Sequence, residues 1–385
     1  MVAPKLTTVL WEWGKLGCIG FGGPPAHIAL LRALCVERRR WLEATEFEDA
    51  IAACNLLPGP ASTQLAIFCA WRVRGRAGAV LGGIAFIVPG LLVILALSAL
   101  FLTGNPPDWV KAAGAGAGSA VAAVAVQAGA GLLPASWQRA AGAGRIRWAG
   151  YVVVAFVATA VLGPWVVLVL LGCGVVELIA QHPRRPVAKR PRRPLAQVPL
   201  LAASGVGGGV LLSLAWVAFK VGALSYGGGF VIIPLMQSDA VHRYHWMTDG
   251  QFLNAVAFGQ VTPGPVVQTV AVVGYAAAGV GGGVLASVIA FAPSFLFVLL
   301  GAHRFDQLRG NLRVRAFLDG AGPAAIGAIL GSAVPLTAAL AEPWQGAVLA
   351  GAALLLALRR GVVLTLLSAG VAGVIVVLAG GPLPI

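Results

Sequence analysis

The chain has little charge. Only 10% of its 385 residues are charged, 13 acidic against 27 basic, so a soluble domain of this length would have almost nothing to clothe its surface. Cysteine is scarce as well. Cys18, Cys35, Cys54, Cys69 and Cys173 form no Cys-x-x-Cys pair, and His27, His182, His242, His245 and His303 have no metal-ligand spacing. His242 and His245 stand three apart beside Trp246, which reads as a polar loop at a membrane interface. The pattern indicates no metal, no redox centre and no cofactor. There is no phosphate-binding loop with its Lys and Ser/Thr, which disfavours an ATP-driven pump; the glycine runs at 205–209 and 281–283 lie in apolar stretches that suit close helix packing. No cleavable leader is apparent, because Glu12, Lys15 and then glycines interrupt the first apolar stretch.

What is abundant is hydrocarbon. The composition is 59% hydrophobic and the mean hydropathy is +0.89. Ala79 to Leu102 and Ala112 to Leu133 carry no charge at all, and each exceeds the roughly 20 residues needed to cross about 30 Å of hydrocarbon. These runs predict an all-α polytopic membrane protein.

The chain also contains one unusual passage twice, 205 residues apart. Leu57-Pro58-Gly59-Pro60 recurs as Thr262-Pro263-Gly264-Pro265, and Phe21-Gly22-Gly23 as Tyr226-Gly227-Gly228. At the same offset Trp11 meets Trp216, Lys15 meets Lys220, Arg38 meets Arg243, and Ile84-Ala85-Phe86 meets Ile289-Ala290-Phe291. The division is a first repeat over 1–181, a linker over 182–199 and a second repeat over 200–385. The linker, with Arg184, Arg185, Lys189, Arg190, Arg192, Arg193 and several prolines, reads as a cytoplasmic loop obeying the positive-inside rule, not as a nucleic-acid-binding arm.

Loop charges alternate between the copies. Arg72, Arg74 and Arg76 correspond to the neutral 277–281, whereas the nearly neutral 103–109 corresponds to the region of Arg304, Arg309, Arg313 and Arg315. Arg139, Arg145 and Arg147 have no basic counterpart near 342–345, and Arg359-Arg360 has a neutral one near 163–164. This predicts two inverted-topology repeats with an odd number of crossings each. One of the two broken stretches in a half (5–37 or 43–71) is then expected to cross and the other to re-enter, with both chain ends outside.

Duplicated helix breaks inside apolar segments point to a secondary transporter whose site lies where the breaks meet. Pro58 and Pro263 end the incoming helix, Gly59 and Gly264 make the turn, and Pro60 and Pro265 suit the first position of the outgoing helix. The N–H groups of Ala61, Ser62 and Thr63, and of Val266, Val267 and Gln268, are expected to face the gap and attract an anion. Polar side chains flank each break: Asn55, Ser62, Thr63 and Gln64 in the first half, Gln260, Gln268 and Thr269 in the second. Lys15 and Lys220 lie seven residues before a double glycine and are candidate charge partners for an anion, with snorkelling to the interface as the alternative. Arg38 and Arg243 are candidates for an anion-attracting vestibule.

These residues resemble the chromate ion transporters. The resemblance is carried by Phe-Gly-Gly-Pro-x-x-His-Ile at 21–28, Val-Glu-Arg-Arg-Arg-Trp-Leu at 36–42, Leu-Pro-Gly-Pro-x-Ser-Thr-Gln-Leu-Ala at 57–66, Tyr-Gly-Gly-Gly-Phe-Val-Ile-Ile-Pro-Leu at 226–235 and Gln-Val-Thr-Pro-Gly-Pro-Val at 260–266. It implies a multi-pass protein of the bacterial inner membrane that exports chromate, confers resistance to it, and is driven by the proton-motive force as an antiporter. Asn55 stands where the family often has Gln, and Tyr226 where Phe is usual. Chromate is the expected partner beside the lipid bilayer, with a homodimer as the assembly kept open. Sulfate or another oxyanion is the alternative cargo, and a membrane-embedded chromate reductase is the alternative class, which would need a redox centre. The expectation is a transporter and not an enzyme.

Overall fold

The computed structural model describes residues 4–55, 57, 59–102, 104, 106–140, 142, 144–162, 166–181, 209–225, 230–302 and 311–384. Every regular element among them is helical. The first half contains α1 (Leu6–Ile19), α2 (Pro24–Arg32), α3 (Ala44–Cys54), α4 (Ala61–Leu102), α5 (Asp108–Ser119), α6 (Val121–Arg139), α7 (Gly144–Leu162) and α8 (Val166–Gln181). The second contains α9 (Val210–Leu224), α10 (Ile233–Gln237), α11 (Asp249–Val261), α12 (Thr269–Gly301), α13 (Leu312–Ala338), α14 (Pro343–Ala357) and α15 (Val362–Leu378). Five stretches, Ala61–Leu102, Asp108–Arg139, Gly144–Val161, Val266–Gly301 and Leu312–Ala338, are long and apolar enough to cross a bilayer. Large apolar side chains such as Leu92, Ile179 and Leu300 point outward, as helices solvated by lipid require. The chain is an all-α polytopic membrane protein.

Several helix starts are written in local chemistry. Thr248 and Gln251 form a capping box before α11, Asn311 caps α13, and Pro24 and Pro343 occupy the first turns of α2 and α14. Both α2 and α10 run on into a π-helical turn, Ala33–Arg38 and Ser238–Arg243, at the same 205-residue offset.

α4 and α12 are each two antiparallel limbs joined by a tight turn. The reversal falls at Arg74-Gly75 in α4 and at Ala278-Gly279 in α12, with both glycines at φ +63. Gly78 therefore faces Ala70, and Gly282 faces Gly274 across the two turns. The turn glycines are 204 residues apart, so the copies differ there by one residue before regaining register at Ile84 and Ile289.

The broken stretches correct the topology expected from sequence. In the first half both of them fold back. Arg39 pairs with Glu12, Trp13 stacks on Trp41 at 6.0 Å, and Arg72 pairs with Glu46, so the two ends of each broken stretch lie together. A continuous rod would separate such ends by more than about 20 Å at 1.5 Å per residue. Neither stretch crosses while its neighbour re-enters; both are hairpins on the side of the basic turn at Arg74. The amino end is on that side too, not opposite it. Val9 and Trp13 stand beside Gly82, and Gly17 beside Phe86, so α1 runs parallel to the second limb of α4, starting from its turn.

The halves meet through those second limbs. Gly83 faces Phe295 and Gly283 faces Leu95, so the limbs run antiparallel. Around them α13 packs on α6, α7 and α8, and α15 lies against α5 where Gly116 and Gly373 bring the backbones together. The linker at 182–199 lies outside the described residues.

Candidate functional site

Each Pro-Gly-Pro separates two helices in the middle of the bundle. α3 stops at Cys54 and α4 starts at Ala61; α11 stops at Val261, and a 3-10 turn at Val266–Gln268 leads into α12. Gly59 has φ +118 and Gly264 φ +103, backbone that side chains on L residues rarely adopt. The first double glycine is similar, with Gly22 at φ +97 and Gly23 at φ +74, and Gly23 caps α2. Pro58, Gly227 and Gly228 lie outside the described residues.

The breaks are exchanged between halves. The Gly59 N–H donates to the Ser225 carbonyl at 2.7 Å, and the Gly264 N–H donates to the Gly20 carbonyl at 2.9 Å. Those two bonds are related by the 205-residue offset, so the glycine of each Pro-Gly-Pro is held by the residue just after the first helix of the other half. The second limbs complete the exchange: Gln268 Nε2 donates to the Ile87 carbonyl at 3.1 Å, Gly90 abuts Pro263, and Ser294 faces Gly59.

His27 ties the first two breaks together. It is fully buried, with Nε2 2.9 Å from the Gly20 carbonyl and Nδ1 3.2 Å from Ser62 Oγ, and its ring meets Phe86 edge-on. A carbonyl only accepts, so Nε2 carries the proton in the neutral ring and Nδ1 accepts from the Ser62 hydroxyl. The Gly20 carbonyl thus receives both His27 and Gly264. Ile232 stands at the equivalent position of the second half, so this junction exists once.

Unspent polar groups gather around the breaks. Thr63 Oγ1, Ser225 Oγ, Gln260 Nε2, Gln268 Oε1 and Ser294 Oγ are buried without a hydrogen-bond partner among the described residues. Buried polar atoms are normally paired, and an unmet one costs about 1–3 kcal/mol. The N–H groups of Ala61, Ser62, Val266 and Val267 also have no acceptor among the described residues. Two further expected donors are not available: Thr63 N–H closes on the Pro60 carbonyl, which also takes the Gln64 N–H, and Gln268 N–H closes on that of Pro265 in the 3-10 turn before α12, at 2.9 Å for both Thr63 and Gln268. Three hydroxyls, an amide N–H₂ and four backbone N–H groups suit a tetrahedral oxyanion, which asks for several donors at once.

The other predicted residues divide. Gln64 and Thr269 are buried at the breaks, and Thr269 Oγ1 donates to the Val266 carbonyl at 2.8 Å. Asn55 is exposed while its equivalent, Gln260, is buried. Lys15 is exposed on α1; Lys220 is bonded to Asp239 and lies 5.8 Å from the Trp216 ring. The two lysines therefore do not share one environment, and the charge of Lys220 is already met by a carboxylate only 6% exposed. Arg38 is exposed at the end of its π-helical turn, and Arg243 reaches Asp239 at 4.0 Å.

Sequence reasoning passed over His27, Ser225, Ser294 and Asp239. Asp239 had a visible signal, a lone acid following the apolar run 230–236. Ser225 and Ser294 had none, since a serine in an apolar helix more often bonds its own backbone.

The chromate transporter family matches residues 7–178 and 212–374. The chain is 33% identical over 326 residues to the chromate transport protein of Cupriavidus metallidurans, covering 84% of this chain and 80% of that one. Over 382 residues it is 32% identical to the chromate transport protein of Pseudomonas aeruginosa, covering 93% and 89%. A probable chromate transport protein of Synechococcus elongatus is 30% identical over 331 residues, covering 84% and 82%. No solved structure matches the chain. A matched pair of segments that takes in both sets of breaks, in a multi-pass helical protein, identifies a transporter and not an enzyme: the chain belongs to the chromate transporter family.

Proposed function

We propose that the protein is a secondary transporter that carries chromate out of the bacterial cytoplasm across the inner membrane. The oxyanion binds where the two Pro-Gly-Pro breaks meet, near the midplane, and the two halves are inserted in opposite orientations. The observation that supports this reading is the reciprocal pair of backbone bonds, Gly59 to Ser225 and Gly264 to Gly20, which ties each helix start to the other half beside buried polar atoms with no partner among the described residues. The antiparallel second limbs of α4 and α12 and the alternating loop charges support the inversion. Backbone breaks at membrane depth persist only where they are buried in protein or line a wet cavity.

Energetics favour export. With the cytoplasm negative, each charge crossing 100 mV is worth about 2.3 kcal/mol, so a departing dianion gains roughly 4.6 kcal/mol, a gradient of some thousandfold. Membrane potential alone is then a sufficient drive. Sulfate has the same shape and charge as chromate and is the competing cargo that the test has to separate.

The test is counterflow of labelled chromate in proteoliposomes, with imposed potential and pH gradients varied separately and sulfate added as competitor. Accumulation that follows the potential and resists sulfate is expected. Accumulation that follows sulfate instead would reassign the cargo, and loss of chromium(VI) without transport would sink the transporter reading.

A further inference from the structure

The connection between α14 and α15 turns at Arg359, Arg360 and Gly361, and Arg359 is held at φ +58, backbone that non-glycine residues adopt only at a cost. Both arginines are exposed, and neither has a carboxylate within ion-pair distance among the described residues. They line a cavity of about 440 Å³ with Gly361, Gln127, Phe21 and Gly22. Its walls come from both halves.

The neighbours say where the cavity leads. Phe21 and Gly22 belong to the first glycine break and directly follow Gly20, whose carbonyl holds Gly264. Gln127 is the one large polar side chain in the uncharged run from Ala112 to Leu133. Two guanidinium groups with no acid beside them, at the mouth of a cleft with apolar walls, focus a positive field on the way to the breaks. Arg38 and Arg243 are not among its lining residues.

We infer that this cavity is the vestibule through which the oxyanion reaches the breaks, with Arg359 and Arg360 as its recruiting cations. The inference rests on the chromate reading above and adds the route to that site. Loop charge places residues 359–360 toward the cytoplasm, the side from which export starts. Planar guanidinium groups pair with tetrahedral oxyanions by two parallel N–H bonds, and a phospholipid phosphate offers the same chemistry as chromate.

The experiment measures initial rates of labelled chromate uptake into everted vesicles against concentration, for the Arg359→Gln/Arg360→Gln and Arg359→Lys/Arg360→Lys double variants. The Gln pair is expected to raise the half-saturating concentration about tenfold or more, with a maximal rate within about twofold of wild type and a weaker dependence on salt. The Lys pair restores most of the affinity. The same series in proteoliposomes of purely zwitterionic lipid, with and without added anionic lipid, separates the two phosphate-like sources: a defect present in both supports the vestibule. A defect confined to anionic vesicles assigns the cavity to a lipid headgroup and overturns it. Unchanged half-saturation, or a loss of maximal rate alone, also overturns it. If wild type moves chromate and the Gln pair behaves like it, only the vestibule fails; if wild type moves none, the functional reading itself fails.

Discussion

Replacing Gly264 by alanine isolates the backbone geometry of one break. At φ +103 an L side chain is strained by about 1–3 kcal/mol, whatever space surrounds it. An added Cβ would lie 3.3 Å from Gln268 Oε1, the end of a side chain that can give way, so strain is nearly the whole effect. Relaxing it rotates Gly264 N–H away from the Gly20 carbonyl and turns the Val266 and Val267 N–H groups from the gap. At 1.4 kcal/mol per tenfold, transport by Gly264→Ala is expected to fall between about 5-fold and 150-fold. Gly59→Ala should fall further, because its Cβ would meet Gln64 Nε2 at 2.6 Å and Ser294 Oγ at 3.2 Å. Gly264→Val should abolish transport. Insertion is unaffected, since the apolar segments that drive it are unchanged. Counterflow normalised to the amount of inserted protein reads the series. Wild-type transport by Gly264→Val at wild-type abundance would refute the reasoning, because the turn would then not shape the site.

The lysines should behave differently from each other: Lys220→Ala leaves the buried Asp239 with only Arg243, at 4.0 Å, as a partner and is expected to cost about 2–4 kcal/mol, which Lys220→Ala/Asp239→Asn recovers in large part, whereas Lys15→Ala costs under about 1 kcal/mol. Thermal unfolding in detergent gives the ranking, and equal losses for the two single variants would contradict it. Thr63→Val, which removes an unpartnered hydroxyl at constant shape, should change half-saturation for chromate or its preference over sulfate while stability holds or rises; unchanged affinity for both anions would take Thr63 out of the site. His27→Phe strands Ser62 and one lone pair of Gly20, and is expected to lower both stability and transport by about 1–3 kcal/mol, with normal melting and normal counterflow as the refuting pair of results. For the inverted halves, cysteines at Gly75 and Gly279 should be labelled by an impermeant reagent from opposite sides, and labelling from one side would end that proposal.

Membrane residence, helical class and the breaks at Gly22–Gly23, Gly59 and Gly264 were legible in the residues themselves. Uncharged runs of more than 20 residues set the first two. Proline and glycine set the third, because what they do to φ and to a missing N–H needs no partner. The 205-residue duplication was equally plain. What the residues could not state was which way each broken stretch runs after its break, since a glycine permits a reversal without demanding one. Contacts between distant side chains, Glu12 with Arg39 and Glu46 with Arg72, make that choice. The lysines show the same limit: equivalent in sequence, they differ because Asp239 has only Leu34 as its counterpart in the other half. The candidate site itself is a tertiary object. Gly59 meets Ser225, Gly264 meets Gly20, and Gln268 meets Ile87 across more than 160 residues of chain. Local chemistry creates unpaired donors at a helix start, but only the packing of one half against the other determines which acceptors they find and which are left for an anion.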